Sequence, residues 1–169
     1  MAYYMRIGIA FFARNDAHGR PTNLHWTIVA NKITYSYDSD RTVIYQIAPT
    51  PGFMTGWRYS SGFWNPIKDP SCVGVLHVGV IYMTSEDLTR YAKTYNTAQQ
   101  DERDLSGLER WGPEAWVIRF LGGLVERDCF DLPWKVPDLY AAIVKKRLPI
   151  LKRASQAKGV PDVIDINNL

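Results

Sequence analysis

The residue types best suited to chemistry in this chain are a histidine and a carboxylate at the heads of two apolar segments. His25 leads the run Leu24-His25-Trp26-Thr27-Ile28-Val29-Ala30, which is rich in β-branched and aromatic residues. An imidazole opening a central strand can reach from the sheet into a cleft and move a proton near neutral pH. It works only if a second group orients it or takes its proton. Glu114 is the candidate, in the segment Trp111-Gly112-Pro113-Glu114-Ala115-Trp116-Val117, where a carboxylate suits the first turn of a helix. That stretch holds no Cys, Ser or Thr, so it supplies no nucleophile. Each group also has a plainer reading: a core histidine bonded to its surroundings, and an exposed first-turn acid.

Other reactive side chains point less sharply. His77 sits in an apolar strand, where a histidine usually has a hydrogen-bond partner and a packing role. Cys72 precedes a strand with no positive helix end to activate it, which suits a small core thiol. Cys129 follows Glu126 and Asp128, whose charges would raise its pKa if close. No His, Cys, Asp or Glu group has metal-ligand spacing, and Gly74 to Gly79 lacks the spacing of a phosphate-binding loop. The expectation is therefore no metal and no cofactor. The aromatics Trp57, Tyr59, Phe63 and Trp64 could wall a pocket or form a satellite cluster under a long loop.

Composition bounds these choices. The chain of 169 residues is 46% hydrophobic, 22% charged and 13% aromatic, the profile of one globular domain with large packed side chains. Its formal net charge of +3 is small, so no polyanion is required as a partner. Lys135, Lys145, Lys146, Arg147, Lys152, Arg153 and Lys158 crowd the C-terminal part. A solvated helix face explains them better than a nucleic acid does, because no RNA or DNA signature accompanies them. Two distant cysteines make no disulfide framework. The apolar run from Ile7 to Ala13 is too short for a signal peptide and nothing approaches a membrane span, so a cytoplasmic location is expected.

The elements that must position the site follow in order. Met5 to Ala13 reads as a covered strand and Asn15 to Pro21 as a loop. A hairpin with its turn at Asn31-Lys32 would then join the His25 strand to Ile33-Thr34-Tyr35-Ser36-Tyr37. A further strand runs from Arg41 to Ile47 and includes Tyr45. Residues 48 to 71 form an ordered flap with a short strand around Gly56 to Ser60. Cys72 to Tyr82 is a strand whose glycines imply a bulge or close backbone approach. Thr84 caps a helix over Ser85 to Tyr95 with Asp87 at the reciprocal position, and Asn96 to Arg110 is a surface loop. Pro113 opens a helix with Trp116, Val117, Phe120, Leu121 and Leu124 buried. Pro137 opens a third helix with Leu139, Tyr140, Ile143, Val144 and Leu148 inward, which Pro149 kinks or ends. The tail beyond Val160 is loosely held unless it docks.

Three short motifs carry a family resemblance. They are His25-Trp26 heading a strand, Val78-Gly79-Val80 leading into a helix, and Pro113-Glu114-Ala115-Trp116-Val117 at the start of another. Across about residues 5 to 130 the chain resembles the permuted papain-like fold of NlpC-type peptidases and lecithin:retinol acyltransferase-like proteins, closest to small fungal families of that type. In the resemblance a catalytic thiolate begins the last helix, in a Cys-Gln-x-Trp-Val-like motif; here the position is Pro113. Proline has no nucleophile and no N–H, so thiol hydrolysis by that route is excluded.

The expected fold is α+β, an antiparallel sheet of about five strands packed by two or three helices. It forms one domain over 1–169, with a core at 5–130, a basic C-terminal helix at 131–158 and a tail at 159–169. The resemblance implies a catalytically silent protein that binds a small molecule or peptide in the former cleft. That cleft would be lined by His25, Glu114, Trp26, Tyr45, Trp57, Tyr59, Trp111 and Trp116. The alternative is an enzyme of other chemistry, a cyclase, isomerase or lyase with His25 as general acid or base.

Overall fold

In a computed structural model of the protein, which describes residues 4–52, 56–95, 111–132, 134–156 and 162–166, the chain builds one sheet. Five antiparallel strands and three helices make it an α+β fold. The strands are β1 (Tyr4–Asn15), β2 (Pro21–Lys32), β3 (Val43–Pro49), β4 (Trp57–Phe63) and β5 (Cys72–Tyr82), with helices α1 (Ser85–Thr94), α2 (Pro113–Glu126) and α3 (Val136–Gln156). A sixth strand, β6 (Asp162–Asp165), runs parallel to β5, giving the order β4-β3-β2-β1-β5-β6. The tail thus docks at a sheet edge, and Ile166 beyond it is buried.

Alternation along the central strands creates two cores. Ile7, Ile9 and Phe11 of β1 and Leu24, Trp26, Ile28 and Ala30 of β2 face one side. There they meet Trp116, Val117, Phe120, Leu121 and Leu124 of α2 and Leu139 and Ile143 of α3. The opposite face carries a smaller core of Ala10, Val29, Ile44, Cys72 and Val75 under Tyr37, with Phe12 and Ile67 against it. Strands buried on both faces read as continuous apolar runs, which is why β1 and β5 stand out in the sequence.

The expected hairpin at Asn31-Lys32 does not form. β2 runs on through Lys32, and its hairpin partner is β1, with Phe11 opposite Trp26 and Phe12 opposite His25. The turn lies at residues 16–20, where Asp16 Oδ1 accepts from the amides of His18 and Arg20 and the carboxylate pairs with the Arg20 guanidinium. Asn31-Lys32 lacks the glycine a two-residue turn favours. The Asn31 side chain instead donates to Ser36 O at 2.6 Å and Thr42 Oγ1 at 3.1 Å. These bonds draw residues 33–42 across the helix-free face as a loop, where Tyr37 seals the smaller core.

Other boundaries fall close to expectation. β4 occupies much of the flap, and Asn65 caps the following one-turn 3-10 helix at Pro66–Lys68. Thr84 caps α1, its hydroxyl accepting from the Asp87 amide. α2 starts at Pro113 and continues past Gly122-Gly123. α3 begins one residue earlier than expected and continues through Pro149, and Val144 is exposed on it rather than inward. The expected surface loop at 96–110 lies outside the described residues.

Two glycines hold the sheet's irregularities. Gly79 adopts φ +158° at a bulge in β5, and a Cβ there would lie 2.9 Å from the Phe130 ring. At Gly8 a Cβ would sit 2.7 Å from the backbone oxygen of Leu76 and 2.9 Å from Tyr37 Oη. Gly8→Ala should therefore cost about 1–3 kcal/mol, because a backbone oxygen in a paired strand cannot step aside. Gly62, with open space around it, is the control. Urea unfolding of both alanine variants checks this: equal midpoints would refute the close-packing account.

Candidate functional site

The two groups that could have shared a proton sit on opposite faces of the sheet. His25 lies between Leu24 and Trp26, which face α2, so its ring points to the other side. There Nδ1 lies 3.0 Å from Arg14 Nη2 and Nε2 lies 2.7 Å from Gln46 Oε1. A guanidinium only donates, so Nδ1 accepts and the ring's proton sits on Nε2, donated to Gln46. Both nitrogens are engaged, and the neutral ring keeps no free lone pair to act as base. Glu114 sits half-buried in the first turn of α2, on the far side. The expected His25–Glu114 pairing is thus absent: β2 is paired with β1 in the register that turns Trp26, not His25, toward the helix.

The expected aromatic group does assemble, without His25. Alternation on β3 and β4 sends Tyr45, Trp57 and Tyr59 to the α2 side. The Trp57 ring packs within 3.8 Å of the Cβ position of Gly112, the residue that precedes α2. Tyr59 lies 6.5 Å, centroid to centroid, from Trp116, which continues to Tyr95 at 6.3 Å and Phe120 at 5.0 Å. The Arg119 guanidinium stands over Trp111 at 5.7 Å, a contact that binds a cation to a ring face. Trp26 belongs to the core proper, edge-on to Phe11 and tilted against Tyr140. Of the expected lining residues Trp57, Tyr59 and Trp111 keep partial exposure, while Trp26, Tyr45 and Trp116 are fully buried.

The electrostatics there favour neutral donors. Burial pushes the Tyr45 phenol up to about 12, and its hydroxyl shares a hydrogen bond of 3.1 Å with Thr89 Oγ1. Burial also raises Tyr59, while the nearby Ser61 hydroxyl, which forms no well-aligned bond with it, opposes this weakly. The Tyr59 hydroxyl and the indole N–H groups of Trp26 and Trp116 are buried with no hydrogen-bond partner among the described residues. Gly112, which has no side chain, gives α2 no side-chain cap. Tyr95 and Arg119 are the members of this cluster that sequence reasoning missed; the sequence places Tyr95 only as the end of the expected first helix, and no pattern marks an arginine destined for a ring face.

The remaining candidates resolve simply. His77 Nδ1 meets Tyr37 Oη at 2.9 Å, a satisfied histidine. Cys72 is a buried free thiol pushed up to about 12 by burial, its S–H aimed at Gly74 O, and so inert. Cys129 is also free, with Sγ 3.3 Å from Arg127 O. Among the described residues no three His, Cys, Asp or Glu side chains gather to hold a metal, and no helix is long and apolar enough to cross a membrane. Lys145 is exposed and Lys146 half-buried on α3; the side chains of Arg147, Lys152, Arg153 and Lys158 lie outside the described part.

The buried environment of His25 makes a pH prediction. Desolvation is the main cause holding its pKa below the ordinary 6.5; the Gln46 bond opposes this and the Arg14 charge adds to it. The unfolded chain therefore takes up a proton near 6.5 that the folded chain refuses until lower pH. Stability should rise with pH up to about 6.5 and gain nothing further from this group above it. Urea midpoints between pH 5 and pH 7 should fall toward acid in the parent and less steeply in His25→Gln. Equal slopes would remove His25 as their source.

Compared with family models, curated proteins and solved structures, the chain matches none.

Proposed function

We propose that this is a non-catalytic binding protein whose ligand docks on the aromatic residues at the N-terminus of α2. One observation carries the reading: among the described residues Trp116 Nε1 and Tyr59 Oη are buried with no hydrogen-bond partner, in aromatic walls beside the start of α2. Such a donor costs about 1–3 kcal/mol if nothing accepts from it. A ligand oxygen would recover that. The half-buried rings of Trp57, Tyr59 and Trp111 supply apolar contact, as in most small-molecule sites. A flat or apolar small molecule, or a peptide segment presenting a carbonyl, has the required chemistry.

Two features support binding over turnover. Pro113 occupies the position where the papain-like resemblance would put a thiolate, and Pro113-Glu114-Ala115 offers no other nucleophile. His25 is capped on both nitrogens and faces away. We read the protein as a catalytically silent relative of that fold, with recognition resting on the aromatic residues rather than on His25.

The test is a ligand-observed NMR screen of small planar carbonyl compounds, together with mass spectrometry of molecules released from the purified protein. Removing one donor with Tyr59→Phe should weaken the compounds roughly five- to tenfold, and Trp116→Phe should do likewise while preserving an aromatic ring. Trp57→Ala should weaken them through lost contact. If both donor variants bind unchanged, or gain thermal stability with no ligand found on the parent, the donors are merely unsatisfied core groups and the reading fails.

A further inference from the structure

A second site lies at the opposite end of the β3–β4 ladder, and nothing in the function proposed above uses it. Trp57 pairs with Pro49 at one end of that ladder and Phe63 with Val43 at the other, six residues and about 20 Å away. At the Phe63 end a cleft of about 290 Å³ opens between the sheet and the start of α1. Met5, Val43 and Phe63 line its apolar part; Lys32, Arg41, Tyr35, Asn31 and Ser85 complete it. Phe63 is 74% exposed, a large apolar side chain left in water beside a concave surface.

The charge of this cleft has one sign. Lys32 and Arg41 line it and no acid does. The acids of the adjoining loop are engaged elsewhere: Asp40 pairs with Lys68 and accepts from Asn65, and Asp38 accepts from Ser36. On α1, Asp87 pairs with Arg90, and neither it nor Glu86 lines the cleft. Arg41 is held ready, with Nη1 donating to Tyr35 Oη at 2.7 Å and its guanidinium 5.3 Å from the Tyr35 ring centroid. Neither cation forms an ion pair among the described residues. Ser85 brings the start of the ten-residue α1 to the same place, where Thr84 caps the Asp87 amide and Glu86 and Asp87 offset the helix dipole, so the cleft's positive charge comes from Lys32 and Arg41.

We infer that this cleft binds a small carboxylate with an apolar body, such as an aromatic or short aliphatic acid. The carboxylate meets Arg41 and Lys32 near the α1 N-terminus, and the body lies against Met5, Val43 and Phe63. The volume is at the small end for ligand sites, which fits an acid of one ring. Arginine suits a planar carboxylate because it donates in parallel pairs. Arg41 still has free donors for this after bonding Tyr35.

The test titrates the protein with benzoate and hexanoate, with benzamide as the neutral analogue and inorganic phosphate as the anion without a body. Backbone amide shifts in two-dimensional NMR are the readout. Both acids should move the amides of Asn31, Lys32, Val43 and Ser85. Arg41→Gln should weaken them about tenfold, Lys32→Gln should weaken them less, and added salt should weaken them too. Phe63→Ala should reduce acid affinity without changing phosphate. The inference is overturned if neither acid shifts those amides, if benzamide binds as well as benzoate, or if phosphate binds as well as the acids. None of these results depends on the aromatic site, which Trp57→Ala and Tyr59→Phe test separately.

Discussion

The pairing register between β1 and β2 is the constraint on which the rest depends. With Phe11 opposite Trp26, every second residue of β2 from Leu24 to Ala30 goes under α2 and α3, and every other one goes to the helix-free face. A shift by one residue would exchange the two sets. It would bring His25 beneath α2 and expel Trp26, the largest side chain of the strand. Burying an indole stabilises far more than burying an imidazole that must keep its hydrogen bonds. Hydrophobic burial therefore chooses the register, and the histidine goes where the register sends it.

That choice explains why two cores coexist on a thin sheet. The helix-free face would expose Ala10, Val29, Ile44 and Val75 if nothing lay over it. Residues 33–42 solve this with few apolar groups, chiefly Tyr37, and are anchored by the amide of Asn31. The cation–π contact of Arg6 with Tyr37 and the bond of Tyr37 to His77 hold the lid's buried ring. Gly8 leaves room for that ring. The loop's return to β3 carries Arg41 to the rim of the cationic cleft, so the packing of one face shapes a feature at the end of the sheet.

The α2 side is organised by different physics. Aromatic rings from β4, the end of α1 and α2 gather tilted or edge-on around Trp116, where area burial dominates and ring geometry adds a smaller increment. The donors on those rings are left over when packing has been satisfied.

Much was legible from the chain alone because local rules carried it. β1, β5, the capped start of α1 and the opening of α2 at Pro113 follow from apolar runs, a Thr–Asp cap and a proline whose missing N–H costs nothing there. That Tyr45, Trp57 and Tyr59 lie on one side follows from their shared parity on neighbouring strands. The second strand of the expected hairpin was not legible, because Ile33 to Tyr37 has strand-like composition while the bonds that make it a lid come from Asn31 and Thr42. The docking of β6 depends on a free edge of β5 that no local pattern announces. The sequence by itself determined most of the strands and helices, apart from residues 33–37 and β6, and which residues are apolar enough to be inside. Only the tertiary structure decided which face each strand turns to which partner, and so separated His25 from Glu114, because register is set by the summed burial of whole strands rather than by any one residue.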